Sequence, residues 1–114
     1  MKTVILDVRP LSKTLSDFSK AWKSRKASSA RISFESPEVL FKVLTGKRWE
    51  LLQVLTGAGP VTIREAARRA KRDVKAVHGD VRALLNAGIL RNTTDGKIVL
   101  PFDVLRIDFV LRAA

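Results

Sequence analysis

The chain has 114 residues, 46% of them hydrophobic, which is enough for one domain with a real core and too few for two. Lys and Arg number 22 against 11 Asp and Glu, so the net charge is +11 and the pI 11.0, the electrostatic signature of a polyanion binder. The absence of Cys removes disulfides, thiolate catalysis and Cys-based zinc sites. No apolar run approaches the ~20 residues of a spanning helix, and Val4-Ile5-Leu6, cut off by Asp7, is too short for a secretion-signal core. A cytoplasmic protein with no membrane partner is therefore expected.

Residues 1–35 read as a strand-helix module. Lys2 to Val8 alternates as a strand, with Val4, Leu6 and Val8 on one face and Ile5 on the other. Pro10 stops it. Leu11, Leu15, Phe18 and Trp22 then recur at four, three and four residues, the stripe of an amphipathic helix, with Ser12 or Ser16 near its start. Lys26 to Ala30 reads as a loop. The stripe has two readings of equal weight: packing on the core, or forming a dimer or partner contact. Ile32 to Phe34 is a short strand.

Ser36-Pro37-Glu38 opens the next domain, 36–101, with an N-cap, a Pro at the first helical position and an acid in the first turn. Val39, Leu40, Val43 and Leu44 are expected to carry the apolar face of that helix. Lys47 to Thr56 is a second helix with Trp49, Leu52 and Leu55 turned inward, Trp49 as a core residue rather than a stacking platform. Gly57 to Pro60 ends it.

Val61 to Leu90 holds two consecutive helix starts. Thr62 with Glu65 makes a capping box, in which the Thr62 hydroxyl accepts from the Glu65 backbone N–H and the carboxylate reaches back. Ile63, Ala66, Ala67 and Ala70 line one face with small residues that allow close helix crossing, leaving Arg64, Arg68 and Arg69 outward. After Lys71 and Arg72, Asp73 caps a helix in which Val74, Val77, Val81, Leu84 and Leu85 share a face. Gly88 falls where a left-handed residue ends a helix. The other face of this helix offers Lys75, Ala76, His78, Gly79 and Arg82, a low-bulk, cationic surface suited to a major groove. A solvated basic hairpin is the plainer reading.

Ile89 to Asn92 and Lys97 to Leu100 are strand-like runs around Asp95-Gly96, a hairpin turn signal. Arg91 and Lys97 put positive charge on the hairpin for phosphate or minor-groove contact. Val61 and Thr62 are expected to pair with it. From 102 to 114, Leu105, Ile107, Phe109 and Leu111 alternate with Arg106, Asp108, Val110 and Arg112, a strand with one apolar face that is a hazard if left unpaired. It is expected to pair with the N-terminal strand of its own chain or of a second copy.

The run V-T-I-R-E-A-A, R-D-V-K-A-V-H-G-D-V, L-L-N-A-G-I-L and a D-G wing resembles the winged helix-turn-helix regulators related to the MarR and ArsR groups. With L-T-G-K-R-W-E-L-L ahead of it, the pattern is similar to small prokaryotic winged-helix antitoxins. The resemblance implies an α+β winged helix that binds double-stranded DNA as a repressor and a homodimer, with a cognate toxin as a second partner. It assigns DNA contact to Arg64, Arg68, Arg69, Lys71, Arg72, Lys75, His78, Arg82, Arg91 and Lys97. Two departures stand out: Ala66 replaces the usual Leu, and Gly79 occupies a position that often carries a base-contacting side chain.

Little in the chain suggests catalysis. His78 is the only His, Asp80 two residues on faces elsewhere, and there is no phosphate-binding Gly loop, so no enzyme, cofactor or metal site is expected. The rivals are a sequence-tolerant architectural or RNA-binding protein and a winged helix used for protein interaction.

Overall fold

The computed structural model describes residues 1–9 and 30–111. The expected helix of Leu11, Leu15, Phe18 and Trp22 lies outside them. The described chain is a mixed α+β fold whose order is β1 (Thr3–Val8), β2 (Ala30–Phe34), α1 (Pro37–Val43), α2 (Gly46–Leu55), α3 (Ile63–Ala70), α4 (Val74–Asn86), β3 (Arg91–Asn92), β4 (Ile98–Val99) and β5 (Val104–Asp108). Among the described residues no helix is long and apolar enough to cross a membrane.

The two ends of the chain meet in one sheet. β1 lies between β2 and β5 and is parallel to both, with Leu6 opposite Ile32 on one side and Ile107 on the other. The C-terminal strand therefore pairs with the N-terminal strand of its own chain. Alternation explains which face is buried. Val4 and Leu6 are fully buried, flanked by Ile32, Leu105 and Ile107, and belong to the same apolar cluster as Leu40, Leu51 and Leu84 of the helices. The sheet residues on either side of 36–101 thus share one core with that stretch.

The opposite face of the sheet carries a buried acid. Asp7, 5% exposed, accepts from Ser33 Oγ at 2.6 Å, from Arg9 Nε at 3.0 Å and from the Arg31 guanidinium. Burial alone would raise its pKa, but the hydrogen bonds from Ser33, Arg31 and Arg9 outweigh that and hold the carboxyl below its ordinary range.

Capping sets the helix starts. Ser36 Oγ accepts from Val39 N–H and Thr45 Oγ1 from Arg48 N–H, each at 3.3 Å, so Thr45, expected only as an interruption, starts α2. Three expected inward residues are corrected. Trp49 is 39% exposed, and Val39 and Val74 are exposed as well. In α2 the buried set is Leu51, Leu52 and Leu55, a stripe centred about one position away from the one expected, and it turns Trp49 to the rim. Each fully buried Leu stabilises the fold by about 2 kcal/mol, so the helix settles on three leucines and leaves the larger ring half out.

Candidate nucleic-acid interface

The centre of interest is α3, the three-residue turn that follows it, and α4. Thr62 Oγ1 accepts from Glu65 N–H at 3.0 Å and starts α3. The reciprocal half of the expected capping box does not form. The Glu65 carboxylate turns instead to Arg68 Nε at 2.8 Å and Arg69 Nε at 2.7 Å, because charge-assisted bonds to guanidinium one turn away are stronger than one to a neutral amide. Those hydrogen bonds, Arg68 first and Arg69 second, lower the Glu65 pKa to about 2, and the same contact raises that of Arg68.

α3 ends at Lys71, whose φ of 56° is left-handed. Its N–H donates to the Arg68 carbonyl at 3.2 Å, and the Arg72 N–H to that of Ala67 at 3.0 Å, which closes the helix in the manner usually given to Gly. A Lys in this conformation costs roughly 1 kcal/mol. Asp73 Oδ2 then accepts from Lys75 N–H at 3.1 Å and starts α4. Ala66 and Ala67, both essentially inaccessible, form the buried side of α3, while Val77, Val81 and Leu84 form that of α4. Ala66, which stands where the usual residue is Leu, is thus part of the buried contact.

The two flanks of α4 treat charge differently. On the inner flank, Asp80 Oδ1 accepts from Arg48 Nε at 3.0 Å, and Arg72 Nη1 lies 2.7 Å from Oδ2, an ion pair not aligned as a hydrogen bond. Arg48 also donates from Nη1 to the carbonyls of Lys42 and Val43, both at 3.0 Å, so one guanidinium ties the end of α1 to α4. Arg72, expected to reach DNA, is instead 17% exposed at its side chain and committed to Asp80.

On the outer flank, Lys75, Ala76, His78, Gly79 and Arg82 are all exposed. Positions 75, 78, 79 and 82 recur at three and four residues and so share a face. Arg64, Lys71, Lys75 and Arg82 make no ion pair among the described residues. A Cβ built on Gly79 would meet no atom within 4 Å, so no packing requirement explains a Gly there.

The hairpin forms as a two-stranded ribbon. Arg91 and Asn92 pair antiparallel with Val99 and Ile98, and Val61 joins as the expected third segment, exchanging N–H to carbonyl bonds with Ile98 at 2.9 and 2.8 Å. Gly96, at φ 80°, allows the turn, which Thr93 closes by donating its N–H to the Lys97 carbonyl at 2.8 Å. Lys97 Nζ sits 3.7 Å from Asp95 Oδ2, which offsets part of its charge. The Arg91 guanidinium lies 6.0 Å from the centre of the Phe102 ring and lines a hollow with Lys2, Thr3 and Ala30. The structure thus groups Arg91 with the end of the sheet.

Arg48 and Asp80 were not expected to carry a role. One signal for Asp80 was present: it lies three residues after Val77 and four before Leu84, on the buried stripe, where a carboxylate needs a partner. Nothing comparable pointed to Arg48. Among the described residues no three His, Cys, Asp or Glu side chains gather as a metal site.

Neither a curated protein nor a solved structure matches the chain. A family model does: HVO_A0114 matches residues 43–107, from the last residue of α1 almost to the end of β5. That stretch is more than half of the 114 residues and contains all of α2, α3, α4 and the ribbon, and the protein is a member of the HVO_A0114 family.

Proposed function

We propose that the protein is a winged-helix regulator that binds double-stranded DNA in a sequence-specific way. In this reading α3 and α4 are the helix-turn-helix, and β3 and β4 with their turn are the wing. The observation that carries it is the outer flank of α4, where Lys75, His78 and Arg82 share one exposed face while Asp80 retains Arg48 and Arg72 on the other. Lys75 and Arg82, two cations whose side chains have no carboxylate partner among the described residues, presented with a hydrogen-bonding imidazole on low-bulk helix surface, are what a major groove lined by phosphates and base acceptors recruits.

The roles divide accordingly. Lys75, His78 and Arg82 read base edges. Arg64 and Lys71 hold the phosphate backbone, joined by Arg68 and Arg69, whose charge is shared with Glu65, and Lys97 reaches the flanking backbone from the wing. Arg72 positions the turn, and Arg91 stays with the sheet.

The test is a selection from randomised duplex DNA at physiological salt, repeated with Lys75→Ala and Arg82→Ala. Recovery of a motif that both variants lose supports the proposal. Retention without a motif favours a sequence-tolerant binder, a reading to which the bare surface at Gly79 contributes, and no retention at all overturns both.

A further inference from the structure

The sheet leaves one feature that DNA contact does not use. β5 is an outer strand whose far edge has no partner among the described residues, and the chain beyond it exposes large apolar side chains, including Phe109 and Val110. An open edge flanked by apolar surface is a template for another strand.

We infer that β5 pairs antiparallel with β5 of a second copy, about a two-fold axis through Ile107, giving a six-stranded sheet across the dimer. Charge selects this register. Arg106 and Asp108 are exposed on the same face, their side chains 66% and 50% accessible, and only 4.0 Å apart in one chain. With the axis at Ile107, Arg106 faces the partner's Asp108, and the symmetry repeats the pair. The same register sets Leu105 against the partner's Phe109 and Val104 against the partner's Val110. With the axis moved to Arg106, two guanidiniums would face each other. The outer edge of β2, which has no strand partner among the described residues, offers no such match, since an axis at Ile32 would place Arg31, already held by Asp7, against Ser33.

The apolar side agrees. Phe109 rests edge-on against Phe41 of α1, with ring centres 5.6 Å apart, and Phe41 itself is 55% exposed. Beside it, half-exposed Trp49 borders a shallow hollow of about 330 Å³ that reaches Ile107. A second copy on the edge would cover this surface. The dimer requires no DNA, so it stands or falls apart from the function proposed above.

Sedimentation of the wild-type chain and of charge-swapped variants tests it. Arg106→Asp and Asp108→Arg, each at an exposed site, place like charges opposite one another twice per dimer and raise the dissociation constant by on the order of tenfold. The double variant Arg106→Asp/Asp108→Arg restores wild-type association. In a chain without native Cys, R106C mixed with D108C forms an oxidised cross-link between copies. R106C alone does not, because its two sulfur-bearing positions lie beyond the roughly 7 Å Cα limit for a disulfide. A wild-type monomer, single swaps without effect, a double variant that fails to recover, or equal cross-linking of R106C alone would each overturn the proposal.

Discussion

The inner and outer flanks of α4 carry the same kinds of residue in opposite states. Inside, Asp80 holds Arg48 and Arg72, and each side chain is about a fifth exposed or less. Outside, the Lys75 and Arg82 side chains stand in solvent and form no ion pair among the described residues. The difference teaches that net charge is a poor guide to a binding surface. A +11 chain commits part of its charge to internal clamps, and the part left without carboxylates is the part on which the proposed DNA interface rests. The sheet repeats the inner pattern, with Asp7 between Arg9 and Arg31.

Removing a clamp should have the largest effect. Asp80→Ala leaves two mostly buried guanidiniums without a counter-charge and should cost about 3 kcal/mol in denaturant unfolding. A loss of less than about 0.5 kcal/mol would mean that the inner flank is as dispensable as a surface pair. On the outer flank the expectation reverses: Lys75→Ala should leave unfolding unchanged and weaken binding to the selected DNA by about 1–3 kcal/mol, with relaxed specificity. Equal weakening on every sequence would assign Lys75 to phosphate.

Gly79→Ala sharpens the contrast within one residue. Because the added methyl meets nothing, the substitution should stabilise the folded protein by up to about 1 kcal/mol. Weaker DNA binding alongside that gain would show that the duplex comes close to the helix there. Binding that is unchanged would leave Gly79 without an explanation.

Acid separates the clamps from the open face. The Asp7 carboxyl is held below its ordinary value of 3.8, so its contribution is complete above that value and is lost as the pH falls through the lower folded-state pKa. Wild-type stability should therefore decline on acidification below about pH 4, and Asp7→Asn should flatten that limb of the curve. An identical acid limb in both proteins would remove Asp7 from the account. The smallest effect concerns the ribbon. Lys97→Ala should reduce the salt dependence of DNA binding by about one unit of slope, and an unchanged slope would mean that the ribbon does not touch DNA.

Much of the frame was legible before the structure. Ser36, Thr62 and Asp73 cap helices where their side chains suggested, Gly88 takes the left-handed position at φ 83°, and Val61 pairs with the ribbon. These features depend on a few neighbouring residues, so spacing reveals them. The second half of the Thr62–Glu65 box failed for an equally local reason: two arginines within one turn compete for the carboxylate. At the candidate site, the exposure of Lys75, His78 and Arg82 followed from helical period, whereas the fate of Arg72 did not. Arg72 and Asp80 are eight residues apart across a turn, and Arg48 arrives from another helix, so no local pattern pairs them.

By itself the sequence determined most of the described helices and strands, the caps at Ser36, Thr62 and Asp73, and which face of β1 and β5 is apolar, because backbone propensity and hydrophobic period act over one or two turns. It also determined that the chain carries more positive charge than its acids can offset. Tertiary structure decided the rest: that the two termini meet as parallel neighbours in one sheet, that Trp49 sits at the rim while Leu51 is buried, and which arginines are held by carboxylates. Those outcomes depend on contacts between residues distant in the chain, where the energy of burial and pairing is set by what arrives from elsewhere.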